Sequence, residues 1–245
     1  MFTKFLHNVP SGIRHEFKYA INSGVYEILR RRCASVMKRD KFSTDDGGYR
    51  VTSLYFDDVY GTAYNDKLTG ILSRKKFRIR AYNLSPDRIN LEVKLKEGSY
   101  IKKKSAVLTY DEYKAIIGGE LFPSLEGCRG AAGWSSGVLQ DFRSQKLKPA
   151  VITDYYREAF TADAGNVRIT FDKNLQTGFG TADMFNASYS PVDRFYNQAV
   201  LEIKYDRFLP TYIQELFSGF PLMSEPVSKY ILCANYVLEV NKKCL

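Results

Sequence analysis

The sequence predicts an α+β protein built on an antiparallel sheet with helices packed on the outside; if the strands close into a β-barrel with their polar faces inward, the cations line a basic tunnel. Three observations carry that expectation. Most of the chain alternates apolar and polar residues with the period of a strand, the polar positions are mostly cationic, and two stretches switch to helical spacing. With 245 residues, of which 44% are hydrophobic, the chain can bury a proper core. Its net charge of +9, from 36 basic and 27 acidic residues, points to a polyanionic partner such as nucleic acid, phosphates or an anionic membrane surface.

Taken in order, "RHEFKYAI" sets Arg14, Glu16 and Lys18 against His15, Phe17, Tyr19 and Ile21, which reads as a two-faced strand. In "NSGVYEILRRRCASVMKRD" Val25, Ile28, Leu29, Cys33 and Met37 recur at helical spacing, with Arg30, Arg31, Lys38 and Arg39 mostly elsewhere around the wheel. "RKKFRIRAY" places Lys76, Arg78, Arg80 and Tyr82 on one side of a pleat and Phe77, Ile79 and Ala81 on the other. "LEVKLK" opposes Glu92, Lys94 and Lys96 to Leu91, Val93 and Leu95. In "YIKKKSAV" alternation favours Lys102 and Lys104 on the basic face, although Lys103 is the other register. "LTYDEYKAII" opens a helix with Thr109 and Glu112 at capping-box spacing.

Residues 118–149, with "EGCRGAAGWSSG" among them, read as a long connection carrying one short helix at "GVLQDFRSQ". It separates two strand-bearing halves, roughly 1–117 and 150–245, of what is expected to be a single domain. In the second half Tyr155 and Arg157 oppose Tyr156 and Phe160. Arg168 opposes Val167, Ile169 and Phe171, and Glu202 and Lys204 oppose Leu201, Ile203 and Tyr205. A sheet whose polar face only meets water mixes its signs and pairs them across strands. Here cations far outnumber carboxylates, as on a surface neutralised by something negative.

Several chemistries are disfavoured. No G-x-x-x-x-G-K-[ST] run supports a P-loop, and with two histidines and no C-x-x-C spacing there is no zinc-ligand cluster. The four cysteines read as reduced and mostly structural. Nucleic acid is an unlikely partner because the aromatics alternate away from the cations, onto the opposite strand face. No segment approaches the ~20 apolar residues that span a bilayer, and the amino terminus lacks a long apolar core, so a cytoplasmic protein is expected. A membrane-protein partner stays open, as does the oligomeric state.

"RHEFKY", "SLYFDD", "RKKFRIRAY", "LEVKLK", "YYREAF", "VRITFD", "LEIKY" and "SKY" follow one another in the order seen in VTC domains. The sequence resembles the polyphosphate-polymerase domain of the vacuolar transporter chaperone family, a branch of the triphosphate tunnel metalloenzymes, over nearly its whole length. The resemblance implies a tunnel that holds a triphosphate or polyphosphate chain. It also implies transfer of the ATP γ-phosphoryl group to a growing chain with Mn2+ or Mg2+ as cofactor. By motif, Lys18, Arg78, Arg80, Lys94, Arg157 and Arg168 take the catalytic cationic positions. Tyr155, Lys102, Lys104, Ser228 and Lys229 take substrate-binding positions, and Glu202 the metal position. The wider family's E-x-E-x-K signature is broken by Arg14, which favours the VTC branch over a two-metal hydrolase.

The residues suit such chemistry. Phosphoryl transfer needs alignment and charge stabilisation more than covalent help, and arginine forks and lysine point charges supply both. Glu202 offers a hard oxygen for a divalent ion, whereas Glu92 reads rather as a partner for neighbouring lysines. In "EPVSKYIL" Pro226 suits a first helical turn, which would put Ser228 and Lys229 at an anion-attracting helix start. A triphosphatase of the same fold and a non-catalytic polyphosphate-binding domain are the alternatives.

Overall fold

The computed structural model describes residues 14–98, 100–119, 146–178, 183–186, 189, 191–193, 195, 197–224 and 226–243. The short helix expected at 137–145 and the residues Cys128 and Cys244 lie outside them. In chain order the elements are β1 (His15–Asn22), α1 (Ser23–Val36), β2 (Lys38–Arg39), β3 (Tyr49–Asp57), α2 (Thr62–Leu68), β4 (Ser73–Tyr82), β5 (Ile89–Glu97), β6 (Tyr100–Leu108), α3 (Tyr110–Ile117), β7 (Lys148–Ala162), β8 (Val167–Gly178), β9 (Val192–Asp193), β10 (Gln198–Tyr205), α4 (Thr211–Glu215) and α5 (Lys229–Lys243). They form two compact units, each assembled from separate segments: residues 1–49, 156–174 and 195–227, and residues 50–155, 175–194 and 228–245.

In the first unit the strands run β1-β10-β8-β7, with β2 added to β7. The β1–β10 and β10–β8 pairings are antiparallel, in a register that sets Lys18 opposite Glu202 and Glu202 opposite Thr170. Their apolar faces, with Tyr19, Ile21, Ile169, Phe171, Leu201 and Ile203, meet Tyr26, Leu29 and Cys33 of α1. Spacings of three and four place those helix residues in one stripe. Asn22 caps the helix by accepting a 2.9 Å bond from the Val25 amide. The helix ends at Val36, because Met37 is extended and Lys38 and Arg39 pair with Thr161 and Phe160. Ile28, expected on the apolar stripe, is exposed, and Tyr26 is buried in its stead. Between β7 and β8, Gly165 (φ 72°) comes so close to Phe208 that a Cβ would sit 2.3 Å from its carbonyl oxygen.

In the second unit the order is β7-β3-β4-β5-β6, and β9 pairs with β8. Leu54, Phe56, Phe77, Ile79, Leu91, Val93 and Ala106 line one face and pack beneath Tyr113 and Ile116 of α3. Each of these side chains but that of Ala106 contributes roughly 1.5–3 kcal/mol by burial. The predicted capping box is present, Thr109 Oγ1 accepting from the Glu112 amide and Glu112 Oε2 from the Thr109 amide. β7 and β8 run on from one unit into the other.

The closed barrel that the resemblance implies is not what the pairing displays. In each unit the strand order is an open path, ending at β1 in one and at β6 in the other. Alternation specifies which face of a strand is buried, whereas closure depends on strand number and shear, which it does not encode. What stands is an antiparallel sheet with helices on its apolar face.

Candidate functional site

The "RKKFRIRAY" strand answers to its sequence. Phe77 and Ile79 are buried in the core, and Lys76, Arg78 and Arg80 share the other face with Tyr55 and Ser53 of β3 and with Asn90, Glu92 and Lys94 of β5. Arg78 grips Glu92 with Nε and Nη2, both at 2.7 Å, and donates from Nη1 to the Tyr55 hydroxyl at 3.2 Å. Arg80 is buried, 6% exposed, and donates to two hydroxyls, Ser53 Oγ at 3.0 Å and Tyr155 at 3.3 Å. Burial works to raise the Glu92 carboxyl, but Arg78, Arg80 and Lys103 hold it down at about 2.

Register decides the lysines of β6. Lys103 stands opposite Lys94 and is ion-paired with Glu92, so it belongs to the cationic face. Lys102 and Lys104, the expected pair, stand opposite Leu95 and Val93 on the other side. Lys76, Lys94 and Lys103 thus form a directly opposed row across β4, β5 and β6.

At the carboxyl-terminal helix, Ser228 is the cap rather than part of the first turn. Its carbonyl accepts from the Leu232 amide at 3.0 Å and its Oγ from the Ile231 amide at 3.5 Å, and Pro226 lies before the helix. Lys76 reaches Ser228 Oγ at 3.4 Å, and Lys229 Nζ lies 4.8 Å over the Tyr155 ring. Asp57 fixes this helix. It accepts from the Ala63 and Tyr64 amides of α2 and from the Tyr230 hydroxyl of α5. The unit therefore gathers Arg78, Arg80, Lys94, Tyr155, Ser228 and Lys229, and adds Lys76, Lys103 and Tyr55.

The other predicted residues form a second cluster, in the first unit. Glu202, 5% exposed, has Lys204 at 3.2 Å, Lys18 at 3.6 Å and Arg157 at 4.0 Å. Burial would raise its carboxyl, but Lys18, Lys204, a hydrogen bond with Glu16 and Arg157 hold it well below the usual carboxylate range. Arg157 is committed to Asp172 through two bonds of 2.6 and 2.7 Å. Arg168 is held by Asp40 at 2.8 Å and Tyr49 at 2.9 Å. Arg14, in place of the signature glutamate, donates to the Asn166 carbonyl and pairs with Asp206. Thr170, directly opposite Glu202, has a buried hydroxyl with no hydrogen-bond partner among the described residues.

That hydroxyl, with the carboxylates of Glu202 and Glu16, forms a hard-oxygen donor set suited to Mg2+ or Mn2+ rather than to a soft metal. No group of three His, Cys, Asp or Glu side chains comes together among the described residues. An ion here would complete its shell with water or phosphate oxygens. Cys33 and Cys233 are free, buried thiols, each pushed up to about 12 by burial, and offer no ligand.

Sequence reasoning missed Tyr55, Thr170 and Asp57, and placed Lys204 on the charged face beside Glu202 without a role. In "SLYFDD" Ser53, Tyr55 and Asp57 alternate with Leu54 and Phe56, the same signal that marked the other strands.

The fold is matched among solved structures. A putative adenylate cyclase from Bacillus halodurans superposes with a TM-score of 0.53 at 14% identity, covering 88% of this chain and 94% of its own. A putative adenylate cyclase from Vibrio parahaemolyticus (0.47, 13%, 89% and 97%) and the PH1012 protein of Pyrococcus horikoshii OT3 (0.48, 13%, 90% and 99%) are further neighbours. At 14% identity the Bacillus halodurans protein shows a likeness of fold alone. No curated protein sequence matches significantly. No described helix is long and apolar enough to cross a membrane. The profile described as "VTC domain" matches residues 13–238, and the chain belongs to that family.

Proposed function

We propose that this protein is a polyphosphate polymerase, transferring the γ-phosphoryl group of ATP to the end of an inorganic polyphosphate chain. The observation that carries the reading is the row Lys76, Lys94 and Lys103, three like charges in directly opposed register, flanked by Arg78 and the buried Arg80. Like charges so placed repel, which a sheet tolerates where a polyanion neutralises them. Membership of the VTC family supports the same reading.

In the proposed reaction a terminal oxygen of the chain attacks the γ-phosphorus, the bond to the bridging oxygen breaks, and ADP leaves. Arg78 and Arg80 hold phosphate oxygens through their forks, and Lys76, Lys94, Lys103 and Lys229 neutralise the chain as point charges. Arg78 is gripped by Glu92, so phosphate binding there exchanges one anionic partner for another. In the first unit Lys18, Arg157 and Arg168 take cationic positions by family resemblance, each already oriented by a carboxylate. Glu202, with Glu16 and Thr170 beside it, would hold Mg2+ or Mn2+. Such an ion would supply charge neutralisation to phosphate oxygens.

Incubation with ATP and Mn2+ followed by product analysis tests the assignment. Long phosphate chains with ADP are expected. Orthophosphate alone would make the protein a triphosphatase, and tight polyphosphate binding without turnover would make it a binding domain.

A further inference from the structure

We propose that the Tyr55 hydroxyl is an ionisable partner of Arg78 and Lys76 that an incoming phosphate group replaces, so that polyanion binding at this face is accompanied by uptake of a proton by Tyr55. The inference rests on the reading that the β4 face receives phosphate. Tyr55 is 5% exposed, yet its hydroxyl meets a cation rather than a carboxylate: it accepts from Arg78 Nη1 at 3.2 Å. Lys76 Nζ stands 4.5 Å over its ring and 4.4 Å over that of Tyr230, and the two rings are 5.1 Å apart.

The charged and titratable groups around the phenol come from every element packed on it. From β4 these are Lys76, Arg78 and Arg80; from β5, Lys94 and Glu92; from β6, Lys103; from β7, Tyr155; from α5, Tyr230 and Lys229. Glu92 is taken up by Arg78 and Lys103. Asp57, two residues along β3, is taken up by the α2 amides and Tyr230. Neither carboxylate is bonded to Tyr55 itself. Burial alone would raise the phenol, but Arg78, Lys76 and Arg80 reverse that and draw it down from 10 to about 7. Phosphate oxygens on Arg78 and Lys76 remove much of that pull, and the phenolate regains a proton from solvent. No covalent bond changes.

The sign follows from linkage. Below about 7 the phenol is already protonated and the wild type and a Phe variant should respond alike to pH. Above it, affinity for the polyanion falls in the wild type by up to about tenfold per pH unit, an increment that Tyr55→Phe removes.

The experiment is a titration of tyrosinate absorbance with and without tripolyphosphate, in wild type and Tyr55→Phe. It is joined by calorimetry in two buffers of different protonation enthalpy. A phenol titrating near 7 in the free protein is expected, absent in Tyr55→Phe and moved upward by tripolyphosphate, with about one proton more taken up by the wild type. If no such phenol titrates while tripolyphosphate still raises the Tm, the Tyr55 inference is overturned and the polyanion reading survives. If the phenol titrates but tripolyphosphate neither binds nor moves it, the polyanion reading fails, and the exchange with it. Should Tyr55→Phe not fold, Arg78→Gln keeps the phenol and must raise its midpoint. An unmoved midpoint overturns the proposal equally.

Discussion

Glu92 shows how one side chain sets both the stability and the readiness of the cationic face. Its carboxylate is held by Arg78 and Lys103 and lies at about 2 in the folded protein, against an ordinary 4.5. A depressed carboxyl stabilises the native state fully above its unfolded value and loses that contribution as pH falls towards the folded one. The window is therefore about 4.5 down to 2. At 5% side-chain exposure, solvent screens it little, and the contribution at neutral pH is on the order of 3 kcal/mol. Glu92→Gln is expected to lower stability at neutral pH and to flatten the acid limb, read by urea unfolding at a series of pH values. An acid limb unchanged by the substitution would assign that limb to other carboxylates. The same variant removes an anion that competes for Arg78, so tripolyphosphate should bind it no more weakly than wild type.

At the scale of the element, register makes predictions that composition does not. Lys103 faces Lys94 and Glu92, whereas Lys102 and Lys104 face Leu95 and Val93. Replacing Lys103 by Ala should weaken tripolyphosphate binding several-fold, and replacing Lys102 or Lys104 should change it little; equal losses from all three would mean that binding senses net charge alone. The strands were legible wherever polar and apolar residues alternate, as in "RKKFRIRAY" and "LEIKY". In "YIKKKSAV" three consecutive lysines erase the alternation, and only pairing with β5 fixes the face. The carboxyl-terminal helix shows the same limit from another side. Pro226 suits a first turn by its fixed φ, but Ser228 supplies the capping oxygen and the helix begins at Lys229. Tyr55 escaped because a strand tyrosine reads as core, and its polar role depends on an arginine on the neighbouring strand. The Lys18–Glu202 cluster was legible as residue types. That Arg157 and Arg168 are already engaged by Asp172 and Asp40 was not, since those carboxylates come from other segments of the chain.

For the whole molecule, the net charge of +9 means that folding gathers like charges, and any polyanion that binds the native state relieves them. Linkage gives the size of the effect. At a ligand concentration one hundred times Kd, binding adds about 2.7 kcal/mol to the stability of the native state. For a chain of this length that corresponds to a rise in Tm of roughly 5–10 °C. Tripolyphosphate at millimolar concentration and low salt is expected to produce it, and the rise should shrink as salt is added, because exposed lysines such as Lys103 are screened within a Debye length of about 10 Å at 0.1 M. Arg78 and the buried Arg80 are screened less, so part of the shift should persist at high salt. A single-stranded oligonucleotide carries the same sign of charge along a different backbone. If it produced an equal shift and competed fully with tripolyphosphate, the basic faces would be a general polyanion surface. A shift for tripolyphosphate that the oligonucleotide cannot displace requires the closely spaced phosphates that the lysine row and the two arginine forks of β4 are arranged to meet.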